Sequence, residues 1–530
     1  GMTRRRWMES TLLVGAVAAT RLAFRSHYLY DIDSVNFALG MDHFDPRAYQ
    51  PHPPGYFLYV AMGHLLNLAV HNANLALVVM SILASCGTVL LVYQLALEWF
   101  GIGAARFAGG LFLLSPLAWF HGTVALTYSV EALFSAAIGL LCWRIYCGQR
   151  NFVFAAAILL GISAGVRPSS LLFLGPLFLF SLLYAPGRRV AGVVVLAATI
   201  LAWFLPMIAC SGGFDAYFGA LFSLWGMVPA KATVFNSSPA TSIARACTIV
   251  LIYLLGFGAA SIGPLGAMYR SEACDPRKKI FTWVWIAPAL GFFTFIFLKF
   301  VNSGYLLLLA APACAWLGYW ASQWYRNARW RQPWKVALIA LCAIANVAIF
   351  LYSPFYCSYR SVRRFEARLQ SVCAALPQVA PATGTLIIGF DSHFLGYRHA
   401  GYYLPDYVTI EYPEERLREG IRVFAMHGRR TTLLAALPTD TFVRFVLFPL
   451  PDGTGSYREY LEKVRQKVPA SGLQTVHAAG VDFITGPISE LPFLFPTAAK
   501  PGEGVSAPSL TSTACKQPCT PARITKPITP

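Results

Sequence analysis

Residues 75–97, LALVVMSILASCGTVLLVYQLAL, form an apolar run without a single charged side chain. Because a bilayer core of ~30 Å needs about 20 helical residues, this run predicts a transmembrane helix. The whole chain of 530 residues is 56% hydrophobic and only 12% charged, which is too apolar for a water-soluble core of ordinary proportions. The sequence therefore predicts a polytopic α-helical membrane protein.

Apolar runs of similar length recur through residues 1–353 and predict about eleven spans. The predicted spans are residues 8–24, 75–97, 104–120, 127–147, 152–166, 170–185, 190–209, 246–269, 280–298, 305–323 and 335–352. We expect the first run to be a retained helix because no small-residue cleavage site follows it. The fifth and sixth are short, and Arg167-Pro168 between them predicts a hairpin of two helices.

Basic residues set the predicted orientation. With the Arg4 to Arg6 cluster in the cytoplasm, the richer basic loops, such as Arg188-Arg189, all fall on that side. The positive-inside rule then predicts a cytoplasmic N-terminus and an extracytoplasmic C-terminus. The net charge of +18 is divided among small clusters between apolar runs, which argues against a nucleic-acid-binding protein.

The composition changes after the last predicted span. Residues 354–492 predict a small extracytoplasmic α/β domain, with strands in 383–390 and 442–450 and amphipathic helices in 358–376 and 457–468. Residues 493–530 are rich in Pro, Ser, Thr and Lys, so this tail is predicted to be disordered.

The first outer loop carries most of the candidate chemistry. It reads YDIDSVNFALGMDHFDPRAYQPHPPGYFLYV over residues 30–60 and belongs to a region, 30–74, that also holds a short apolar helix predicted to lie at the interface. Asp31 and Asp33 follow the first span at the bilayer surface. Two carboxylates at this spacing can act as a base, bind a divalent cation or cap a helix. All three interpretations stay open from spacing alone.

A stiff turn follows in the same loop. The prolines of Gln50-Pro51-His52-Pro53-Pro54-Gly55-Tyr56 fix three φ angles, and the glycine after them is permissive. The turn therefore presents His52 and Tyr56 from a rigid elbow. The alternative interpretation is a simple turn before a membrane anchor.

These elements together resemble a known enzyme group. An acidic pair after the first span, then a His-Pro-Pro-Gly-Tyr turn and an interfacial helix, is similar to membrane glycosyltransferases of the GT-C fold. The resemblance is to the family 39-like group of protein O-mannosyltransferases and aminoarabinose transferases, in the branch with Asp-Ser-Gly-Glu and His-Pro-Pro-Gly-Tyr segments. This chain departs from that branch at Val35-Asn36, where the glutamate is missing. A second carboxylate role would therefore fall to Asp31 or be absent.

The resemblance implies transfer of a sugar from a polyprenyl-phosphate carrier to a hydroxyl of a protein, lipid or glycan acceptor, usually with inversion. It also implies a bacterial inner membrane protein with a periplasmic C-terminal domain. In such an enzyme Asp33 would take the acceptor proton, and cationic groups would stabilise the departing lipid phosphate. His52 stands where the related enzymes place a basic residue before Pro-Pro.

Four further residues are candidates on the same side of the membrane. Arg167 can hold a phosphate bidentately or extend to the interface, and Lys299 has the same two interpretations. Tyr305 can donate a hydroxyl or belong to an aromatic belt. Glu131 near the start of the fourth span can contact a substrate or stabilise its own helix end.

The rival hypothesis is a transporter or flippase for a lipid or small solute. Transporters concentrate polar residues near the bilayer midplane and often contain duplicated halves. Here the charges gather at one interface, and the sequence shows no clear repeat. His393 follows a predicted strand, but no motif assigns it a role.

Overall fold

The computed structural model describes residues 4–227, 247, 275–293, 300–327, 331–354, 356–412, 423–434, 439–449 and 472–491. A helical region extends to Tyr352 and is followed by a domain of strands and helices. The helices of the described part up to this point are α1 (Arg4–Ala23), α2 (Ile32–Asp42), α3 (Phe57–Val70), α4 (Ala73–Phe100), α5 (Ile102–Leu114), α6 (Pro116–His121), α7 (Tyr128–Tyr146), α8 (Val153–Val166), α9 (Ser169–Leu182), α10 (Arg189–Cys210), α11 (Phe214–Met227), α12 (Pro276–Phe292), α13 (Ala310–Arg326) and α14 (Gln332–Tyr352).

The long apolar runs form helices where the sequence predicts them. Within the described ranges, five helical segments are long and apolar enough to cross a bilayer: Ala73–Phe100, Tyr128–Tyr146, Arg189–Cys210, Asn302–Arg326 and Gln332–Tyr352. Shorter apolar helices, among them α8 and α9, occupy other predicted spans. The predicted span 246–269 lies outside the described residues, so the number of eleven spans stays a prediction.

Caps explain where these helices begin and end. The Asn72 side chain accepts the Leu75 N–H at 2.9 Å and starts α4, which ends at Gly101 with a φ of 87°. The predicted span 104–120 is two helices, because Pro116 has no N–H to continue the α5 ladder. Ser115 caps the second of them by accepting the Ala118 N–H.

Small residues allow close packing inside the helical region. Trp285 of α12 is fully buried, and its indole N–H donates to the Ser135 hydroxyl of α7 at 3.1 Å. A Cβ atom on Gly139 would overlap the Trp285 ring. The glycine is therefore required for this contact between α7 and α12.

The domain after Tyr352 is built on one mixed sheet. Its strands within the described residues are β1 (Thr385–Gly389), β2 (Val408–Glu411), β3 (Val423–His427), β4 (Arg430–Leu434), β5 (Arg444–Leu447), β6 (Gln474–Ala478) and β7 (Val481–Pro487). Their order is β4-β3-β2-β1-β5-β7-β6, and β1 pairs in parallel with both β2 and β5. The other neighbours are antiparallel. Helices α15 (Tyr359–Val379) and α16 (Tyr397–Tyr403) accompany the sheet.

The predicted strands in 383–390 and 442–450 are confirmed as β1 and β5, and the predicted helix 358–376 as α15. The remaining strands were not predicted. The predicted helix 457–468 and the predicted disordered tail 493–530 lie outside the described residues.

This domain docks on the first outer loop and on the residues just before it, 27–29, through polar contacts. Both sides donate hydrogen bonds, and four of them show how the backbone of this segment is held. The contacts are His27 N–H to the Glu366 carboxylate (2.6 Å), Leu29 N–H to the Tyr403 hydroxyl (2.8 Å), Ile32 N–H to the His393 carbonyl (2.9 Å) and the Arg398 guanidinium to the Ala48 carbonyl (2.7 Å). The domain therefore fixes the loop that carries the candidate site.

Candidate active site

Asp31 is buried where the first outer loop enters α2. One carboxylate oxygen accepts the Asp33 N–H at 2.9 Å, which makes Asp31 the N-cap of the helix. The other oxygen accepts the Tyr356 hydroxyl at 3.1 Å and lies 3.6 Å from Nδ1 of His393. Helix capping, one of the three open interpretations, is therefore correct for Asp31. Its two oxygens are both engaged by the protein.

Asp33 has a different environment, although it lies only two residues away. Its side chain is 32% exposed, and Oδ1 lies 3.3 Å from Nδ1 of His52. Nε2 of His52 lies 3.1 Å from the Tyr56 hydroxyl oxygen. The result is a continuous polar path from Asp33 through the imidazole to the phenol. Asp33 is the carboxylate of the pair that a substrate can reach.

The elbow predicted at Pro53-Pro54-Gly55 places these groups. Gly55 has a φ of 108°, and Tyr56 also has a positive φ of 48°. A Cβ atom on Gly55 would come within 3.0 Å of the Met207 sulfur. The backbone conformation therefore favours glycine here, and the close approach of α10 leaves little room for a side chain. The turn directs His52 back towards the first turn of α2.

The two aspartates also differ in their acidity. Burial raises the pKa of Asp31, but His393 and the Asp33 N–H outweigh burial and hold its pKa below the usual value. Burial also raises the pKa of Asp33, and His52 opposes this only in part, so the pKa of Asp33 stays above its usual value. Asp33 is thus the better proton acceptor of the pair, and Asp31 is held as a carboxylate.

Arg167 and Glu131 form a buried ion pair close to this group. Nε of Arg167 lies 3.2 Å from one Glu131 oxygen, and the guanidinium also donates to the other oxygen at 3.3 Å. A further N–H donates to the Thr127 hydroxyl at 2.9 Å. Both charged side chains are buried, so the arginine does not extend into water at the interface. The pair carries no net charge, which limits its attraction for a phosphate.

Three tyrosine rings surround the Arg167 guanidinium. Its central carbon lies 4.1 Å from the ring centroid of Tyr305, 4.8 Å from that of Tyr128 and 5.7 Å from that of Tyr56. Tyr56 therefore connects the arginine with His52. Cation–π contacts of this kind are stronger when the cation is desolvated, as it is here.

The structure brings seven of the eight residues that the sequence singles out into one connected group. They are Asp31, Asp33, His52, Tyr56, Glu131, Arg167 and Tyr305. Lys299 lies outside the described residues.

Sequence reasoning missed two residues of the group, His393 and Tyr356. Burial lowers the pKa of His393, but Asp31 raises it more strongly, to about 9, so this imidazole is protonated at neutral pH. The loop that carries it follows β1, and Phe394 beside it packs on the Tyr30 ring at a centroid distance of 4.9 Å. The position of His393 after a buried strand was the one signal available, since functional residues often follow the carboxyl ends of parallel strands.

The divalent cation that the sequence allows at Asp31 and Asp33 stays a prediction. Magnesium and calcium sites collect oxygen ligands from several side chains. The described part of the chain contains no group of three or more His, Cys, Asp and Glu side chains placed to hold a metal ion. Both oxygens of Asp31 are moreover engaged already.

Comparison with solved structures identifies the architecture. ArnT from Cupriavidus metallidurans bound to undecaprenyl phosphate matches with a TM-score of 0.58 at 12% identity, over 92% of this chain and 98% of that one. The chain has the GT-C fold. The apo state of the same ArnT matches this GT-C chain with a TM-score of 0.55 at 12% identity, over 91% and 98% of the two chains. The Archaeoglobus fulgidus oligosaccharyltransferase tethered with an acceptor peptide has a TM-score of 0.43 at 12% identity, over 76% and 64%.

A family model also matches part of this GT-C chain. It is the N-terminal domain of the protein O-mannosyl-transferase TMEM260, and it covers residues 49–190. The matched range includes His52, Tyr56, Glu131 and Arg167, but not the two aspartates. Comparison with curated proteins finds no match.

Proposed function

We propose that the chain is a glycosyltransferase that moves a sugar from a polyprenyl-phosphate carrier to an acceptor hydroxyl at the outer face of the membrane, with inversion. The observation that carries the proposal is the pairing of Asp33 with His52 and Tyr56 in a GT-C fold. The match to a protein O-mannosyl-transferase family model supports a mannose-type donor as the first to test.

In the proposed reaction, the acceptor oxygen attacks the anomeric carbon while the bond from that carbon to the phosphate oxygen breaks. The electron pair of the broken bond stays on the lipid phosphate, and the acceptor proton goes to Asp33. A single displacement of this kind inverts the anomeric carbon. The raised pKa of Asp33 makes it a stronger base than an ordinary carboxylate. Asp31 stays ionised and orients the helix turn that presents Asp33.

The leaving phosphate requires donors and positive charge. His52 and Tyr56 are the polar groups nearest to Asp33, and we assign them to the phosphate side of the site. Since Glu131 neutralises Arg167, we assign the arginine to the positioning of Tyr56 and Tyr305. Lys299 is a further basic residue that the sequence predicts for the phosphate side.

The proposal is tested by transfer of radiolabelled sugar from a panel of polyprenyl-phosphate sugars, with mannosyl donors first. Membranes containing the wild type are compared with Asp33→Asn and with Asp482→Asn at matched expression. Asp482 is a suitable control because its side chain is 71% exposed on the sheet, far along the chain from the loop. We expect the wild type and the control to transfer sugar and Asp33→Asn to lose transfer.

Two results would count against the proposal. If Asp33→Asn transferred sugar like the wild type, the first loop would not be the site. If no donor were consumed, and the purified chain instead moved a lipid across vesicles, the transporter hypothesis would be the better one.

A further inference from the structure

A polar cavity of about 300 Å³ lies between the C-terminal domain and the first outer loop. Four parts of the chain meet at it: the segment between α1 and α2, the end of α2, the turn between α3 and α4, and the domain that carries the sheet. Its lining includes Asp42, Asn67, Asn74, Tyr402 and Arg429. None of these residues belongs to the group around Asp33.

Two amide groups of the lining are incompletely paired. Asn74 is 7% exposed, and its Nδ2 donates to the Ser26 carbonyl at 2.9 Å, which fixes the orientation of the amide. Its Oδ1 is buried and has no hydrogen-bond donor within the described residues. The same is true of Oδ1 of Asn67. Because a buried acceptor without a donor is unfavourable, a ligand hydroxyl that donates to these oxygens would be favoured.

The lining has few fixed charges. The formal charges of Asp42 and Arg429 cancel, and the imidazoles of His27 and His71 also line the cavity. Among the described lining residues there is therefore no cluster of arginine and lysine side chains of the kind that binds phosphate. Arg429 is held in place, since its Nε donates to the Tyr402 carbonyl at 3.1 Å and its guanidinium carbon lies 4.4 Å from the Tyr402 ring centroid.

The remaining lining groups suit hydroxyl groups. A hydroxyl both donates and accepts hydrogen bonds, and amide and phenol side chains do the same. The flat rings of Tyr402 and Tyr403 lie 5.0 Å apart between centroids and add apolar surface of the kind that covers a sugar ring. An uncharged ligand with several hydroxyl groups matches this combination.

The part of the cavity at Asp42 lies well away from Asp33. Asp33 lies in the first turn of α2 and Asp42 at its last residue. Nine residues of helix separate them, which corresponds to about 14 Å along the axis. A ligand in this cavity is therefore either separate from the reacting groups or another part of the same substrate.

We infer that this cavity binds a neutral sugar residue other than the transferred one. The inference rests on the proposed function in one respect: it takes the bound sugar to be part of the acceptor. The acceptor is then a glycan chain or a glycolipid. A glycan on a protein and a glycan on a lipid share this chemistry.

The test measures binding of free oligosaccharides to the purified full-length chain in detergent by saturation-transfer NMR. The probes are manno-, gluco- and N-acetylglucosamine oligosaccharides. The variants are Asn67→Leu, which removes an acceptor that no described residue uses, and Arg429→Asn, which suits the φ of 61° at that position. The matched control is Arg430→Asn, the next residue of the same hairpin, which is not among the residues that line the cavity.

We expect at least one oligosaccharide to bind and each cavity variant to bind it at least tenfold more weakly. Binding should be unchanged in Arg430→Asn and in Asp33→Asn. Thermal unfolding of each variant shows that it is folded, and the two cavity variants lie on different elements. If the bound oligosaccharide also serves as an acceptor, comparison of its lipid-linked and peptide-linked forms distinguishes the two sources.

Three outcomes would overturn the inference: no oligosaccharide binds, binding is equal in folded cavity variants, or inorganic phosphate displaces the sugar. Loss of binding in Asp33→Asn would also overturn it, because the sugar would then occupy the donor site. If oligosaccharides bind but no sugar is transferred, the cavity assignment stands and the proposed function is contradicted. If sugar is transferred but no oligosaccharide binds, the proposed function stands and the cavity assignment is contradicted.

Discussion

Replacement of His393 by glutamine tests whether the C-terminal domain holds Asp31 by charge. Nδ1 of His393 lies 3.6 Å from the Asp31 carboxylate. Two unit charges at this distance attract by at most about 5 kcal/mol at an effective dielectric constant of about 20. The His393 side chain is 46% exposed, so screening by solvent reduces the expected contribution to about 1 kcal/mol. At neutral pH the substitution should therefore lower the free energy of unfolding by about 1 kcal/mol.

The pH dependence separates a charge effect from a loss of packing. The pKa of His393 in the folded chain is about 9 and lies above its usual value, with Asp33 and Asp391 adding to the effect of Asp31. A raised pKa gives a stability contribution that is complete below the unfolded-state pKa of about 6.5 and is lost as the pH rises through the folded-state value. The difference between wild type and His393→Gln should therefore be largest near pH 6 and disappear near pH 10.

Thermal unfolding of the detergent-purified proteins between about pH 6 and about pH 10 measures this difference. The control is His477→Gln, because the His477 and Asp482 side chains are 68% and 71% exposed and their pair should contribute nothing measurable. A difference that stays constant over this pH range would refute the assignment of charge to His393. It would show that the imidazole acts only by packing.

Three other substitutions test separate parts of the structure. Asp33→Asn should reduce sugar transfer by about 10²–10⁴-fold. In the wild type, the acid limb of the pH–rate profile should lie above the usual aspartate pKa of about 4, because Asp33 must be ionised to act as a base and its pKa is raised. Arg167→Gln or Glu131→Gln alone should lower the free energy of unfolding by roughly 3–5 kcal/mol, because each leaves a buried charge unpaired. The double variant should recover most of that loss, as measured by denaturation. Gly139→Ala should cost about 1–3 kcal/mol in the same experiment, because the new methyl group overlaps the Trp285 ring.

Each of these expectations has a clear contrary result. An acid limb at the ordinary aspartate value would remove Asp33 as the titrating base. Additive losses in the double variant would mean that Arg167 and Glu131 do not interact. Gly110→Ala is the control for Gly139→Ala, since nothing lies within 4 Å of a Cβ atom there, and equal losses at both positions would contradict the packing argument.

The membrane helices and the composition of the site follow from local sequence, whereas the contacts between distant segments do not. Apolar length and basic loops predict helices such as α4, and a proline elbow predicts a rigid His52. The pairing of Asp31 with His393 and of Glu131 with Arg167 depends on tertiary packing, which no local pattern encodes. The sequence therefore indicates which charged residues are candidates, but it does not indicate that Glu131 is the buried partner of Arg167.

The sheet shows the same limit. Strands β1 and β5 are continuous apolar runs in the centre of the sheet, and the sequence predicts both. The hairpin of β3 and β4 lies at one edge, where β4 is mostly exposed and carries polar residues. Edge strands lack the apolar signal because one side of the sheet is open to solvent. Their pairing is decided by the neighbouring strand.

The hydrogen bonds from His27, Leu29 and Ile32 to the C-terminal domain also have a consequence for biosynthesis. Their partners, Glu366, Tyr403 and His393, are made long after the loop itself has left the ribosome. During that interval the N–H groups of the loop must be satisfied by water. The reactive loop consequently acquires its final shape only when synthesis is nearly complete. A prematurely terminated chain can therefore insert its helices into the bilayer and still lack the partners that hold the loop segment in place.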